Sequence, residues 1–230
     1  MSRKIALIED EPAIRKNYAD ALTKQGYQVL GLESRQEALQ SFQTHLPDLA
    51  IIDISLGDDV EGGFDVCRML RSKSNTLPII FLTARDSDFD VISGLRLGAD
   101  DYLTKDVSIH QILARVAALF RRIDALETEL SEADLRKVGD LSIDSTSLNV
   151  EWKEQKVMLT ITEFWILNSL VRIPGHVKNR DQLMQDANIF VDDGTVTSHV
   201  KRLRRKFETL DESFDCIETV YGMGYRWNKK

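Results

Sequence analysis

The feature that most constrains this chain is a set of short apolar runs, each closed by a polar residue. KIALIED ends on Glu9 and Asp10, LAIID on Asp53, LPIIFLT on Thr83 and DDYLTK on Lys105. Runs of this length rich in Ile, Leu and Val, followed by turn signals, predict buried strands of a parallel sheet. YQVLG reads as a further strand. Helix-like stretches alternate with the strands. In EPAIRKNYADALTKQG, Ile14, Tyr18 and Leu22 recur at helical spacing before Gly26, and SRQEALQSFQTH opens with Ser34 and Glu37 as a capping box. FDVCRMLRSK, VISGLRLGAD and HQILARVAALFRR complete five βα units in the first 120 or so residues. Right-handed crossovers turn that order into a five-stranded doubly wound α/β sheet. Ligands of such sheets bind outside the carboxyl ends of the strands. Three carboxylates, a hydroxyl and an ammonium are therefore expected at one sheet edge, which makes a site.

The periodicity changes past residue 120. RRIDALETELSEADLRK is charged and free of Gly and Pro, with Ile123, Leu126 and Leu130 at helical spacing, and is expected to extend a helix into a linker over 123–137. That divides the chain into a first domain at 1–122 and a second at 138–230. VGDLSIDSTSLNVEWKEQKVMLT alternates as antiparallel strands do. TEFWILNSLVRI, the stretch around RDQLMQDA, and Thr195 to Leu210 read as three helices. CIETVYGMGYRW closes the chain as a hairpin around a Gly-x-Gly turn. Strands, three helices and a terminal hairpin describe an α+β winged helix-turn-helix.

The formal net charge of −7 argues against nucleic acid only if it is spread evenly. Residues 1–120 hold 13 Lys/Arg against 18 Asp/Glu, and the rest hold 17 against 19. Within GTVTSHVKRLRRKF, 194–207, five basic residues meet no acid. No stretch reaches the roughly 20 apolar residues a membrane helix needs. MSRKIALIED enters a strand directly, without a secretory signal. Cys67 and Cys216 read as buried reduced thiols, and the four histidines make no metal-ligand spacing with them. A cytoplasmic protein without a membrane partner fits these features.

Glu9, Asp10 and Asp53 at neighbouring strand ends repel one another unless compensated. Two resolutions stay open: a raised pKa, or a hard divalent cation on oxygen ligands. Mg²⁺ takes one or two carboxylates, keeps several waters and adds phosphate oxygens. Lys105 can neutralise a phosphoryl group as a point charge and Thr83 can donate a hydrogen bond to it. An Asp in that setting is a plausible nucleophile toward phosphorus. In the second half, Val196, Val200, Leu203 and Phe207 form one buried stripe. Ser198, Lys201, Arg202 and Arg205 lie away from it, with His199 flanking. A basic helix with an apolar back suits a DNA major groove.

At these residues the chain resembles OmpR/PhoB-type response regulators over essentially its whole length, a flavodoxin-like receiver followed by a winged helix. The resemblance implies that Asp53 is the phosphorylated aspartate and that Glu9, Asp10, Asp53 and the Ser55 carbonyl hold Mg²⁺. It implies that Thr83 and Tyr102 form the switch pair and that Lys105 contacts phosphate. It implies double-stranded DNA contacts by Thr197, Ser198, His199, Lys201, Arg202, Arg204, Arg205 and Arg226, with Arg202 the best candidate for a base contact. Dimerisation on phosphorylation is implied through ion pairs of Asp101 with Arg115 and of Asp100 with Arg121 or Arg122. A sensor histidine kinase and RNA polymerase are the implied protein partners. The protein is then not a turnover enzyme, although the phosphoaspartate can hydrolyse itself.

Several positions depart from the family pattern. Asp106 follows Lys105 where Pro is usual. A non-proline cis bond costs roughly 3 kcal/mol, so a trans bond with a displaced Lys105 is expected. SLGDDVEGG after Asp53 is longer than usual and acidic, which reads as an exposed mobile loop or as a device that tunes cation affinity or phosphoryl lifetime. Asp90 stands where the fourth helix usually carries a base, Gln111 where the fifth carries an acid, Gly194 where the recognition helix often begins with Arg. The wing reads Thr219-Val220-Tyr221-Gly222 in place of Thr-Val-Arg-Gly, leaving Arg226, Lys229 and Lys230 to compensate through phosphates. Two rival readings are a phosphorylation-independent DNA-binding regulator and an aspartyl phosphatase. The second is weakened by Asp53-Ile54-Ser55, which lacks an Asp-x-Asp.

Overall fold

A computed structural model describes residues 2–128, 135–186 and 193–228. The chain divides into two compact units, Met1–Ala117 and Ala118–Lys230. In the first unit the elements run β1 (Lys4–Ile8), α1 (Pro12–Lys24), β2 (Gln28–Leu32), α2 (Arg35–Ser41), β3 (Leu49–Ile52), α3 (Gly62–Lys73), β4 (Ile79–Thr83), α4 (Asp88–Leu97) and β5 (Asp101–Thr104), followed by α5 (Ile109–Thr128). The strands form one parallel sheet in the order β2-β1-β3-β4-β5. Every residue of β3 and β4 is buried, as expected of strands covered by helices on both faces. The order reverses between β1 and β3, so ligands are expected at that pair of strand ends.

Local signals start the helices where the sequence places them. Pro12 opens α1 with its φ already suited to a helix. The Ser34 hydroxyl accepts from the Glu37 amide at 3.2 Å. The returning Glu37 carboxylate takes the amide of Glu33 at 2.7 Å, one residue before the cap. The amide of Gly63, in the first turn of α3, donates to the Ile54 carbonyl at 2.9 Å. A Cβ at Gly63 would lie 2.0 Å from the carbonyl oxygen of Asp53. Only glycine lets α3 begin this close to the end of β3.

Three charged residues expected at a dimer surface, Asp100, Asp101 and Arg122, are buried instead. The Asp100 side chain is fully buried, with a carboxylate oxygen 2.7 Å from Arg71 and 3.1 Å from the amide of Ile79. Arg71 also donates to the carbonyls of Gly98, Ser74 and Leu77. Asp100 therefore fixes the entry to β5 against α3 and is not available to a partner subunit. Arg122 is likewise buried and donates to the Thr162 hydroxyl at 3.0 Å, within the second unit.

The second unit continues with β6 (Leu135–Val138), β7 (Leu141–Asp144), β8 (Asn149–Trp152) and β9 (Gln155–Lys156), an antiparallel sheet. The helices α6 (Ile161–Arg172), α7 (Arg180–Asp186) and α8 (Asp193–Leu210) follow, then the hairpin β10 (Ile217–Val220) and β11 (Gly224–Trp227). Residues 135–137, expected in the linker, belong to β6, while 129–134, Lys229 and Lys230 lie outside the described residues. Thr160 and Glu163 form the expected capping box. Trp152, Phe207, Phe214 and Trp227 make the aromatic core, with Phe207 and Phe214 stacked at 4.5 Å. Tyr225 exchanges two backbone hydrogen bonds with Lys178, and a Cβ on Gly224 would meet the Lys178 carbonyl at 2.1 Å, so the hairpin is fastened to the segment before α7. Cys67 and Cys216 are buried and form no disulfide. Among the described residues, no helix is long and apolar enough to cross a membrane.

Removing one partner of a buried ion pair leaves the other uncompensated, at a cost of about 3–5 kcal/mol. Arg71→Ala is therefore expected to destabilise the first unit by that amount, read as a lowered urea midpoint in far-ultraviolet circular dichroism.

Candidate functional site

Sheet register brings the site together. Ile8 lies opposite Ile52, and the ladder continues one step with the amide of Asp53 on the Ile8 carbonyl at 2.9 Å. Thr83 lies opposite Thr104, and the Lys105 amide donates to the Thr83 carbonyl at 2.8 Å. Glu9, Asp53 and Thr83 are buried at these ends. One carboxylate oxygen from each of Glu9, Asp10 and Asp53 lies within 4.8 Å of the others. The Lys105 ammonium sits 2.6 Å from Asp53 Oδ2 and 2.8 Å from Glu9 Oε2. Arg15 braces the turn between β1 and α1 by donating to the carbonyls of Glu9 at 2.5 Å and Asp10 at 3.0 Å. No cis peptide occurs among the described residues, so the Lys105–Asp106 bond is trans. The lysine is nevertheless in the site, contrary to the expected displacement: its amide is still held by β4 and its flexible stem spans the remaining distance.

Electrostatics here are crowded. Burial pushes the Glu9 carboxyl above its usual range, Lys105 pulls it back only in part, and Asp53 adds to the rise. Burial would lower the Lys105 ammonium, but its hydrogen bonds to Asp53 and Glu9 outweigh that and hold it above its ordinary value. One ammonium faces three carboxylates, so the donor set suits a hard divalent cation on oxygen ligands. Receiver domains bind Mg²⁺ at acidic sites of this kind, and the cluster at Glu9, Asp10 and Asp53 fits it.

The expected switch residues adjoin the cluster. The Thr83 hydroxyl accepts from the Arg85 amide at 3.4 Å. The Tyr102 ring is buried 6.2 Å from that of Phe81, its hydroxyl donates to the Arg85 carbonyl at 2.9 Å, and burial raises its phenol. Arg85, which sequence reasoning missed, ties these residues together, and its position two residues past Thr83 was the available signal. The acidic loop is exposed at Gly57, Asp58, Val60 and Glu61, yet it is held by named contacts. Leu56 and Asp59 exchange backbone hydrogen bonds, Asp59 pairs with Arg35 at 2.8 Å, and the Val60 carbonyl accepts from Arg85 at 2.8 Å.

In the second unit α8 presents Thr197, Lys201 and Arg205 to solvent, with Ser198 half-buried. Two sequence assignments need correction. His199 is fully buried, because 196, 199, 200, 203 and 207 together make the inner stripe of the helix, so it cannot reach phosphates. Arg202, expected at a base edge, is drawn inward and paired with Glu163, with a further hydrogen bond to the Thr160 hydroxyl at 3.3 Å. Arg204 donates to Ile217 O and Thr219 Oγ1, each at 2.8 Å, and joins α8 to the wing. Arg226 pairs with Glu218 at 2.8 Å. Exposed Arg180, unforeseen from sequence, donates to Thr197 Oγ1 at 3.3 Å. Asp101, expected at the dimer surface, is buried and lies 3.6 Å from Arg115 of its own chain.

Glu163 is the acid on which α8 is seated. Burial alone would raise it, but Arg202 and Lys206 outweigh burial and hold it down to about 2. A depressed carboxyl contributes stability that is complete above its unfolded value, near 4.5, and is lost as pH falls toward 2. All three tryptophans (Trp152, Trp165 and Trp227) lie in this unit. Tryptophan fluorescence is expected to show its urea midpoint falling across that window, with a flatter profile and a lower plateau in Glu163→Gln.

Comparison with known proteins accords with this geometry. Residues 5–117 match the response regulator receiver domain, and residues 154–227 match the C-terminal domain of transcriptional regulatory proteins. The chain is 38% identical over 226 residues to transcriptional regulatory protein AfsQ1 of Streptomyces coelicolor, covering 96% of each. It is 38% identical over 232 residues to the phosphate regulon transcriptional regulatory protein PhoB of Rhizobium meliloti, covering 98% of each. The crystal structure of response regulator DrrB, an OmpR/PhoB homolog of Thermotoga maritima, matches with a TM-score of 0.51 at 28% identity, over 99% of this chain and 100% of that one. The chain belongs to the OmpR/PhoB-type response regulators and is a two-component regulator of transcription.

Proposed function

We propose that Asp53 accepts a phosphoryl group from a sensor histidine kinase and that this drives dimerisation and sequence-specific DNA binding. The observation that carries the reading is the Lys105 ammonium shared between Asp53 and Glu9 at the ends of three strands. An Asp53 oxygen attacks phosphorus, the bond to the donor nitrogen breaks, and an acyl phosphate forms. Glu9, Asp10, Asp53 and the Ser55 carbonyl would hold Mg²⁺, which supplies charge neutralisation at the phosphoryl oxygens. Lys105 stays within reach of the new oxygens as it exchanges a carboxylate for a phosphate. The Thr83 hydroxyl turns to donate to the phosphoryl group and gives up its bond from the Arg85 amide. That releases the segment on which the Tyr102 hydroxyl rests and alters the β4–α4–β5 face. Exposed Phe89 and Ile92 on α4, with half-buried Arg115 nearby on α5, support that face as the dimer surface. DNA contacts fall to Thr197, Ser198, Lys201 and Arg205, with Arg204, Arg226 and Arg180 at phosphates.

Asp53→Asn is expected to take up no phosphate from a small phosphodonor and to show no phosphodonor-dependent dimerisation or promoter binding. Equal responses in wild type and variant would sink the phospho-switch. For DNA, Lys201→Ala and Arg205→Ala are each expected to lower the slope of log affinity against log salt by about 1 when a phosphate contact is lost. Arg202→Ala should instead lower the stability of the second unit, measured by tryptophan fluorescence in urea.

A further inference from the structure

The loop from Ser55 to Glu61 follows the candidate acceptor Asp53, and contacts along it link Asp10 to Arg85. At one end the Gly57 amide donates to Asp10 Oδ2 at 3.0 Å. Gly57 has φ +62, a left-handed conformation that aims its N–H back at β1 and leaves open space where a Cβ would stand. In the middle, Leu56 and Asp59 close a tight turn with hydrogen bonds of 3.0 and 3.1 Å, and Arg35 grips Asp59 at 2.8 Å. At the other end the Val60 carbonyl accepts from Arg85 Nη2 at 2.8 Å. Arg85 Nη1 is fixed by Asp90 at 3.0 Å, and its backbone meets Thr83 and Tyr102.

We infer that this loop is a strap which positions the Asp10 carboxylate for a divalent cation, and that Arg85 is the positioning residue that holds the strap taut. The inference rests on the proposed phospho-acceptor site, because Asp10 matters only if that site takes a cation. Its physical basis is that ligand carboxylates depend on outer hydrogen bonds for their orientation. Thr83, Arg85, Val60 and Gly57 form a continuous path to Asp10. A shift of the Arg85 segment is therefore passed along the loop to the Asp10 carboxylate. Electrostatics alone makes the opposite prediction: Arg85 is a cation near an acidic cluster, so removing its charge should tighten cation binding.

Calorimetric titration of the full chain with MgCl2 alone, at constant ionic strength and without phosphodonor, separates the two. Arg85→Gln is expected to weaken Mg²⁺ binding by about tenfold, the lower end of what losing an outer partner costs. Gly57→Val, which leaves charge untouched but disfavours the left-handed turn, is expected to weaken it similarly. Amide hydrogen exchange at Gly57 should accelerate in both. The combined variant should lose no more than either alone, since both cut the same strap. Arg85→Gln binding Mg²⁺ as tightly as wild type, or more tightly, overturns the inference, as does normal binding by Gly57→Val. A wild-type protein that shows no Mg²⁺ isotherm overturns the phospho-acceptor reading and the strap with it.

Discussion

The Lys105 ammonium, held at 2.6 Å by Asp53 and 2.8 Å by Glu9, is the interaction on which the first unit depends. It joins the end of β5 to the ends of β3 and β1 along the carboxyl edge of the sheet. Without it, two buried carboxylates would face each other beside Asp10 with no compensating charge, at a cost no apolar packing offsets. With it, the cluster is still short of positive charge. The fold thus tolerates an acidic pocket of a form that suits a divalent cation. Stability and function draw on the same imbalance.

The second unit repeats the arrangement with opposite sign. A single buried acid, Glu163, is surrounded by Arg202 and Lys206 and caps the start of α6. Two of the basic residues that make α8 look like a DNA reader therefore serve to seat it. The exposed remainder, Thr197, Lys201 and Arg205, occupies the outer face. Arg204 and Tyr225 connect that helix to the terminal hairpin, so the two present adjoining surfaces.

Much of this was legible in the chain itself, and the reason is periodicity. Apolar runs of strand length alternating with helical spacing point to a doubly wound parallel sheet, and the polar residue closing each run lands at the strand end by construction. Lys105 was legible for that reason, even though the residue after it departs from the family. Asp100 was not, because whether a strand-leading acid faces solvent or core depends on Arg71, which arrives from α3, distant in sequence. His199 and Arg202 were misplaced because a helix with one apolar stripe leaves its flanks undecided, and Glu163 from another helix settles them. The loop after Asp53 looked mobile because its composition is polar. Its order comes from Arg35 and Arg85, neither of which is local to it.

Everything proposed for the first unit depends on Asp53 as the phosphoryl acceptor. Peptide mapping of the full chain by mass spectrometry, after acetyl phosphate treatment with Mg²⁺ or with a chelator, tests it most directly. An acid-stable, base-labile phosphate is expected on the peptide carrying Asp53, present with Mg²⁺ and absent with chelator. Phosphate on another residue, or incorporation at Asp53 that ignores Mg²⁺, would contradict it.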